Sequence, residues 1–408
     1  MKYKQITPIL LVLAILISVV AVASRQVQNL NTKYNSKSTP DTANTYNGKQ
    51  NTQNNEEMRG VWVSYMELSM ENEEDKSQKH FTEKFEEIAE NCKALGYNTL
   101  VVQVRPFCDA LYKSDYFPWS HILTGEQGKN PNYDPLKIMC EICIKNDLKI
   151  HAWVNPYRIS TQSTPKELSD DNPYVNDNSI GFETKGGTYL DPSNKKAKEL
   201  IVAGIEEIVK NYDVDAVQFD DYFYPSDMGN EDEEQYKEYI KGCGNDSMTI
   251  EEWRKANVNL LISETYRHIH SIKDDVEFGI SPQGNINNSK GLFADVKLWC
   301  TTKGYLDYIC PQIYFSLENP SLTFEDSLQS WCELEFASNV ELYVGLAGYK
   351  AGKNNDEGTW LEENDILSKE YKILCNNQKV SGFMMYSYAS LNSSDAKIEM
   401  ENLHNELK

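Results

Sequence analysis

From Met58 onward the apolar residues fall into two alternating rhythms. Short runs rich in β-branched and aromatic residues have the length of buried strands. Between them, apolar side chains recur every third or fourth position, the period of a helix with one buried face. Strands are predicted at 59–65, 98–104, 149–154, 216–219, 276–280, 308–313, 340–345 and 382–386. Helices are predicted at 81–95, 134–146, 191–212, 250–272, near Asp295, and at 323–337, 362–375 and 395–407. Gly96 ends the first helix, and Asp134-Pro135 opens the second with a capping carboxylate and a ring of preset φ. Eight strand–helix units predict an α/β fold, a (β/α)8 TIM barrel with long βα loops on the C-terminal face. Strand one runs into Met66-Glu-Leu-Ser, without the glycine fingerprint of a doubly wound sheet.

Ahead of the barrel, Lys2 and Lys4 precede an apolar run from Ile9 to Ala23, and Ala21-Val22-Ala23 fits a cleavage site. Residues 1–24 are therefore expected to be a signal peptide or a membrane anchor, and the protein to be extracytoplasmic. Residues 25–57, rich in Asn, Gln, Ser and Thr, read as a disordered linker, and 58–408 as the barrel. Asp plus Glu total 62 against 40 Lys plus Arg, a net charge of -22. Such a surface repels phosphate backbones, so nucleic acid is not the expected partner. The 25 Tyr and 7 Trp offer apolar faces with polar edges, which suit sugars. The nine cysteines, an odd number, leave at least one free thiol, and Cys140-x-x-Cys143 reads as buried helix packing. The acidic run Glu231–Glu234 reads as a solvated loop face. His268 and His270 are two apart on a helix and share no face, so no metal or other cofactor is expected.

Side chains alternate along a strand, so parity selects those that face the site at the C-terminal rim. It groups Gln103 with Arg105, and His151 with Trp153 and Asn155, with Arg158 beyond. It also groups Gln218 with Asp220, Gln312 with Tyr314, and Tyr386 with Tyr388. Amides, rings, Arg and His converging on one rim suit sugar hydroxyls. Adjacent Asp220 and Asp221 repel each other, so one should hold its proton and serve as a donor. The alternative is a structural pairing of either Asp with Arg105 or Arg158.

Six stretches carry a resemblance. They are Met58-Arg-Gly-Val-Trp-Val, Val102-Gln-Val-Arg-Pro106, His151-Ala-Trp-Val-Asn-Pro156-Tyr-Arg, Phe219-Asp-Asp-Tyr-Phe-Tyr-Pro225, Gly279-Ile-Ser-Pro282 and Cys310-Pro-Gln-Ile-Tyr314. In this order they resemble the glycosyl-hydrolase-like 10 family of exported bacterial proteins. The resemblance implies a barrel glycoside hydrolase, whose better-understood relatives look like hydrolases of peptidoglycan glycan strands. Strand seven ends Gly345-Leu-Ala-Gly-Tyr349, without the nucleophilic carboxylate of the large barrel clan. The Asp pair is similar instead to that of substrate-assisted hexosaminidases, where the sugar's 2-acetamido group attacks. The resemblance then gives Asp220 and Asp221 the orienting and acid/base roles, in that order or reversed. Gln103, Arg105, His151, Asn155, Arg158, Gln312, Tyr314 and Tyr386 would bind substrate, with Trp153 and Tyr222 as stacking surfaces. A polysaccharide is the expected partner. A non-catalytic cell-wall barrel is one alternative. Another is a two-carboxylate hydrolase of neutral polysaccharide, with Asp109, Glu183 or Asp227 as the second acid.

Overall fold

A computed structural model describes residues 57–408. The segments expected as signal or anchor and as linker, up to residue 56, lie outside the described residues. Eight parallel strands close a barrel: β1 (Met58–Val63), β2 (Thr99–Arg105), β3 (Lys149–Val154), β4 (Ala216–Phe219), β5 (Glu277–Ile280), β6 (Tyr308–Ile309), β7 (Glu341–Leu346) and β8 (Val380–Tyr386). Each pairs with its neighbours in sequence, and β8 closes on β1 with Met58 opposite Gly382 and Trp62 opposite Tyr386. Every residue of β2 is buried, as expected of a strand covered on both faces.

The outer ring is α1 (Gln78–Ala94), α2 (Pro135–Lys145), α3 (Lys195–Asn211), α4 (Ile250–Ile272), α5 (Val296–Thr301), α6 (Phe324–Cys332), α7 (Ile366–Cys375) and α8 (Lys397–Leu407). On α1, Phe81, Phe85, Ile88, Ala89 and Cys92 form one buried stripe. Ser77 caps its first turn, accepting the His80 N–H at 3.3 Å. Among the described residues no helix is long and apolar enough to cross a membrane. All nine cysteines are thiols, and Cys140 and Cys143 are buried in the face of α2.

Four local expectations differ from the structure. Strand one stops at Val63, because Ser64 caps a single helical turn, Tyr65–Leu68. Strand six is short, because Pro311 brings no N–H to the ladder; only single bridges at Gln312 continue it toward Gln283 and Gly345. The third helix starts at Lys195, not Asp191. Asn194 caps it, while Asp191 accepts the N–H and hydroxyl of Ser193 in a local turn. The acidic run is not a plain solvated loop. Asp232 is fully buried and forms a bidentate pair with Arg254 at 2.6 and 2.8 Å, and a helix follows at Glu233–Cys243.

The long β3–α3 connection folds into a three-stranded antiparallel sheet of Arg158–Thr161, Gly187–Leu190 and Gly181–Glu183. It stands beyond the C-terminal end of β3. Inside the barrel, Met58, Trp62, Val101, Trp153, Tyr308, Tyr343 and Met384 pack together. The ring-rich layer forms the base on which the rim is built.

Candidate active site

β4 ends at Phe219, and the chain delivers Asp220 and Asp221 directly at its C-terminal tip. Asp220 is buried, yet it lines a cleft of about 340 Å³ at the mouth of the barrel. Its Oδ2 accepts from Trp153 Nε1 at 3.3 Å and from the Asn155 amide. Asn155 is oriented in turn. The Tyr65 N–H can only donate, and it donates to Gln103 Oε1 at 3.0 Å; the Gln103 amide nitrogen then donates to Asn155 Oδ1 at 2.5 Å. One backbone N–H thus sets the polarity of two amides in series and makes Oδ2 an acceptor. Oδ1 receives only the Tyr222 N–H, at 3.4 Å, and is the oxygen better placed to carry the proton of the neutral acid.

Burial, and after it the neighbouring Asp221 charge, push the Asp220 carboxyl up to about 7, with Arg158 opposing. Burial also raises Asp221, while amide donors from Gln283 and Gln312 work to keep it ionised. Gln312 reaches Asp221 Oδ1 at 3.2 Å, and Gln283 holds the other oxygen. Neither Asp forms a salt bridge with another described residue. The arrangement sets a carboxyl whose proton is held up into the neutral range beside a second acid held by two amides.

Aromatic rings form the walls. Tyr314 and Tyr386 lie 5.9 Å apart between centroids, and Tyr349 stands edge-on to Tyr386 at 5.8 Å. Tyr222, 53% exposed, and Trp153 also line the cleft.

Of the residues expected at the site, Asp220, Trp153, Tyr222, Gln312, Tyr314 and Tyr386 line the cleft. Gln103, Asn155 and Asp221 stand immediately behind them and act through their neighbours. Three others are placed elsewhere. Arg105 points away from the barrel axis: its guanidinium lies 4.5 Å from the Phe117 ring centroid, and a β-carbon at Gly204 on α3 would come within 2.8 Å of it. The cause is a bulge. The β2–β3 register shifts between Gln103 and Arg105, so the two do not share a face, and parity fails there. His151 is buried below the cleft, bonded to Tyr308 Oη at 3.0 Å, and burial pushes its imidazole down to about 3. Arg158 donates to the Pro106 carbonyl at 2.8 Å and spans the Phe107 and Tyr222 rings. Arg158 thus acts on the site through Tyr222 and through its charge near Asp220.

None of the three candidates for a second carboxylate lines the cleft. Asp109 is buried against His121 and Gln127, Glu183 is exposed on the small sheet, and Asp227 accepts the Gly186 N–H. Asp220 is the one carboxylate among the described residues lining the cleft. His268 and His270 are paired separately, with Glu206 and Asp307. The sequence reading missed Trp62, Ser281, Gln283 and Tyr349. Trp62 was legible by parity on strand one. Tyr349 was not, because it follows a short turn after β7 in which no alternation holds.

Over residues 57–362 the chain matches the profile of the family described as Glycosyl hydrolase-like 10. It is similar to Glycosyl hydrolase YngK of Bacillus subtilis (strain 168), 35% identical over 373 residues, 86% of this chain and 71% of that one. Glycosyl hydrolase DigH of Escherichia coli (strain K12) is 30% identical over 378 residues, 83% of this chain and 85% of that one. In fold it is similar to the PgaB (BpsB) glycoside hydrolase domain from Bordetella bronchiseptica. The TM-score is 0.57 at 13% identity, over 85% of this chain and 99% of that domain.

Proposed function

The chain belongs to the glycosyl hydrolase-like 10 family, and from that premise we propose that it is an exported glycosidase acting on N-acetylated glycan, with peptidoglycan strands as substrate. The observation that carries this reading is the single carboxylate that lines the cleft among the described residues, an acid whose proton is held up to about pH 7. A cleft with one acid and no facing carboxylate lacks the second group of a two-carboxylate hydrolase. A sugar with a 2-acetamido group supplies the missing nucleophile itself.

In this mechanism the acetamido carbonyl oxygen attacks C1 as the C1–O glycosidic bond breaks. Asp220 passes its proton to the departing oxygen. Water then adds to C1, the acetamido group is released, and the water's proton returns to Asp220. Of the two orders open from sequence, this makes Asp220 the acid/base. Burial raises Asp221 while the Gln283 and Gln312 amides favour its ionised form, whose charge in turn favours the Asp220 proton. Trp153 and Tyr222 would stack against sugar rings. The apolar run of residues 9–23 supports export to where such strands lie.

The test is digestion of purified denuded glycan strands, followed by mass spectrometry of the products. Wild type is expected to release acetylated oligosaccharides, and Asp220→Asn to lose about 10²–10⁴-fold in turnover. Asp221→Asn is expected to lose activity as well. Wild-type turnover in both variants rejects the assignment. Intact polymer with protein bound to it indicates the non-catalytic barrel, and equal cleavage of a glycan lacking acetamido groups indicates conventional hydrolysis.

A further inference from the structure

Many buried polar side-chain atoms have no partner within the protein, but among the described residues two of them, Gln218 Nε2 and Ser281 Oγ, belong to residues that line the cleft. A buried donor left without an acceptor costs about 1–3 kcal/mol, so such a group at the base of a cleft points to a ligand atom that completes it.

The two side chains are neighbours across the sheet. Gln218 on β4 pairs with Gly279 on β5, and Ser281 follows two residues later on the same face. Both are held so that only one group remains free. The Ser281 N–H donates to the Phe219 carbonyl at 2.8 Å, and its own carbonyl accepts from Gln312 at 3.0 Å, leaving the hydroxyl. On Gln218, the carbonyl end is already used, because Tyr308 Oη donates to Oε1 at 3.1 Å. Tyr308 Oη is also bonded to His151 Nδ1 at 3.0 Å. With the Tyr308 proton given to Gln218 Oε1, the His151 Nδ1–H donates to Tyr308 Oη, and the Gln218 NH₂ is left as a pure donor. The glycine between the two strand positions makes this possible. A β-carbon at Gly279 would lie 2.0 Å from the Tyr308 ring, so only glycine lets that ring reach across.

We propose that the Gln218 amide and the Ser281 hydroxyl form a subsite at the base of the cleft that takes the carbonyl oxygen of the 2-acetamido group of the sugar adjoining the one cleaved, leaving the reacting sugar's own acetamido oxygen free to attack C1. A carbonyl has two lone pairs for two donors, and Trp62 and Trp153 line the same cleft with apolar surface for the acetamido methyl. The inference rests on the reading of an N-acetylated glycan substrate and names the groups that select it. Tyr308 and His151 are positioning residues, which set the direction of the Gln218 amide.

The experiment compares calorimetric binding of chitotetraose and cellotetraose, two neutral chains that differ in acetamido against hydroxyl. Wild type is expected to prefer chitotetraose by at least tenfold, and Gln218→Leu and Ser281→Ala each to reduce that preference while cellotetraose binding stays constant. Tyr308→Phe should move in the same direction by less. If Gln218→Leu does not fold, Ser281→Ala carries the test. Equal weakening of both ligands, or full preference in the folded variants, overturns the subsite. Failure of the wider reading looks different: wild type then leaves glycan strands intact. Strands cleaved by wild type alongside undiminished selectivity in both variants reject the subsite alone.

Discussion

Asp220 is the residue whose chemistry is most constrained by its surroundings. Its proton must be present for it to act as a donor, and its carboxyl is held up to about 7. Activity is therefore expected below that pH and to fall as pH rises through it, a limb read from kcat/KM against pH. Stability carries the same sign. The folded protein keeps the proton at a pH where the unfolded chain has released it. The favourable contribution is full below the ordinary carboxylate range and is lost as pH rises toward 7. The relay behind Asp220 tunes this limb. Gln103→Leu removes the amide that orients Asn155, and with it a donor that favours the ionised form of Asp220. The alkaline limb is expected to move to higher pH, with kcat reduced roughly tenfold. A fall in kcat with the limb unmoved would make Gln103 a packing residue.

The insertion after β4 is tied to α4 by the pair between Asp232 and Arg254, beside Tyr236 and Tyr239 packed against Trp253. Arg254 also reaches the Gly229 carbonyl at 3.0 Å. Arg254→Met leaves Asp232 buried without a counter-charge, at a cost of about 3–5 kcal/mol. Limited proteolysis is expected to cut within residues 226–249 in that variant. Adding Asp232→Leu should restore resistance, because no unpaired charge then remains. Strands and helices were readable because each obeys one period over a whole element. Thus β2 is continuously apolar and α1 carries one stripe. What escaped is set by contacts between elements. A one-residue bulge turned Arg105 outward, and a bidentate partner 22 positions away made Asp232 a buried anchor. Asp220 and Asp221 were legible because they follow a strand directly, with no bulge between. The free faces of Gln218 and Ser281 emerge only when neighbouring strands are in register.

The barrel as a whole depends on the seam between β8 and β1. Gly382 sits there at φ +150, and a β-carbon on it would lie 2.2 Å from the Met58 carbonyl oxygen. Gly382→Ala meets both backbone strain and a clash with a strand that cannot move aside, so a loss of at least about 2 kcal/mol is expected. Thermal unfolding should show it as a single cooperative transition at lower temperature, since every strand is held from both sides. A second, separate transition would mean that the staves open independently.

The same seam decides when the molecule becomes competent. Trp62 on β1 and Tyr386 on β8 bring their rings to 6.1 Å across it, so one wall of the cleft is made by the first and the last staves of the barrel. That wall is therefore incomplete until the last stave has docked on the first.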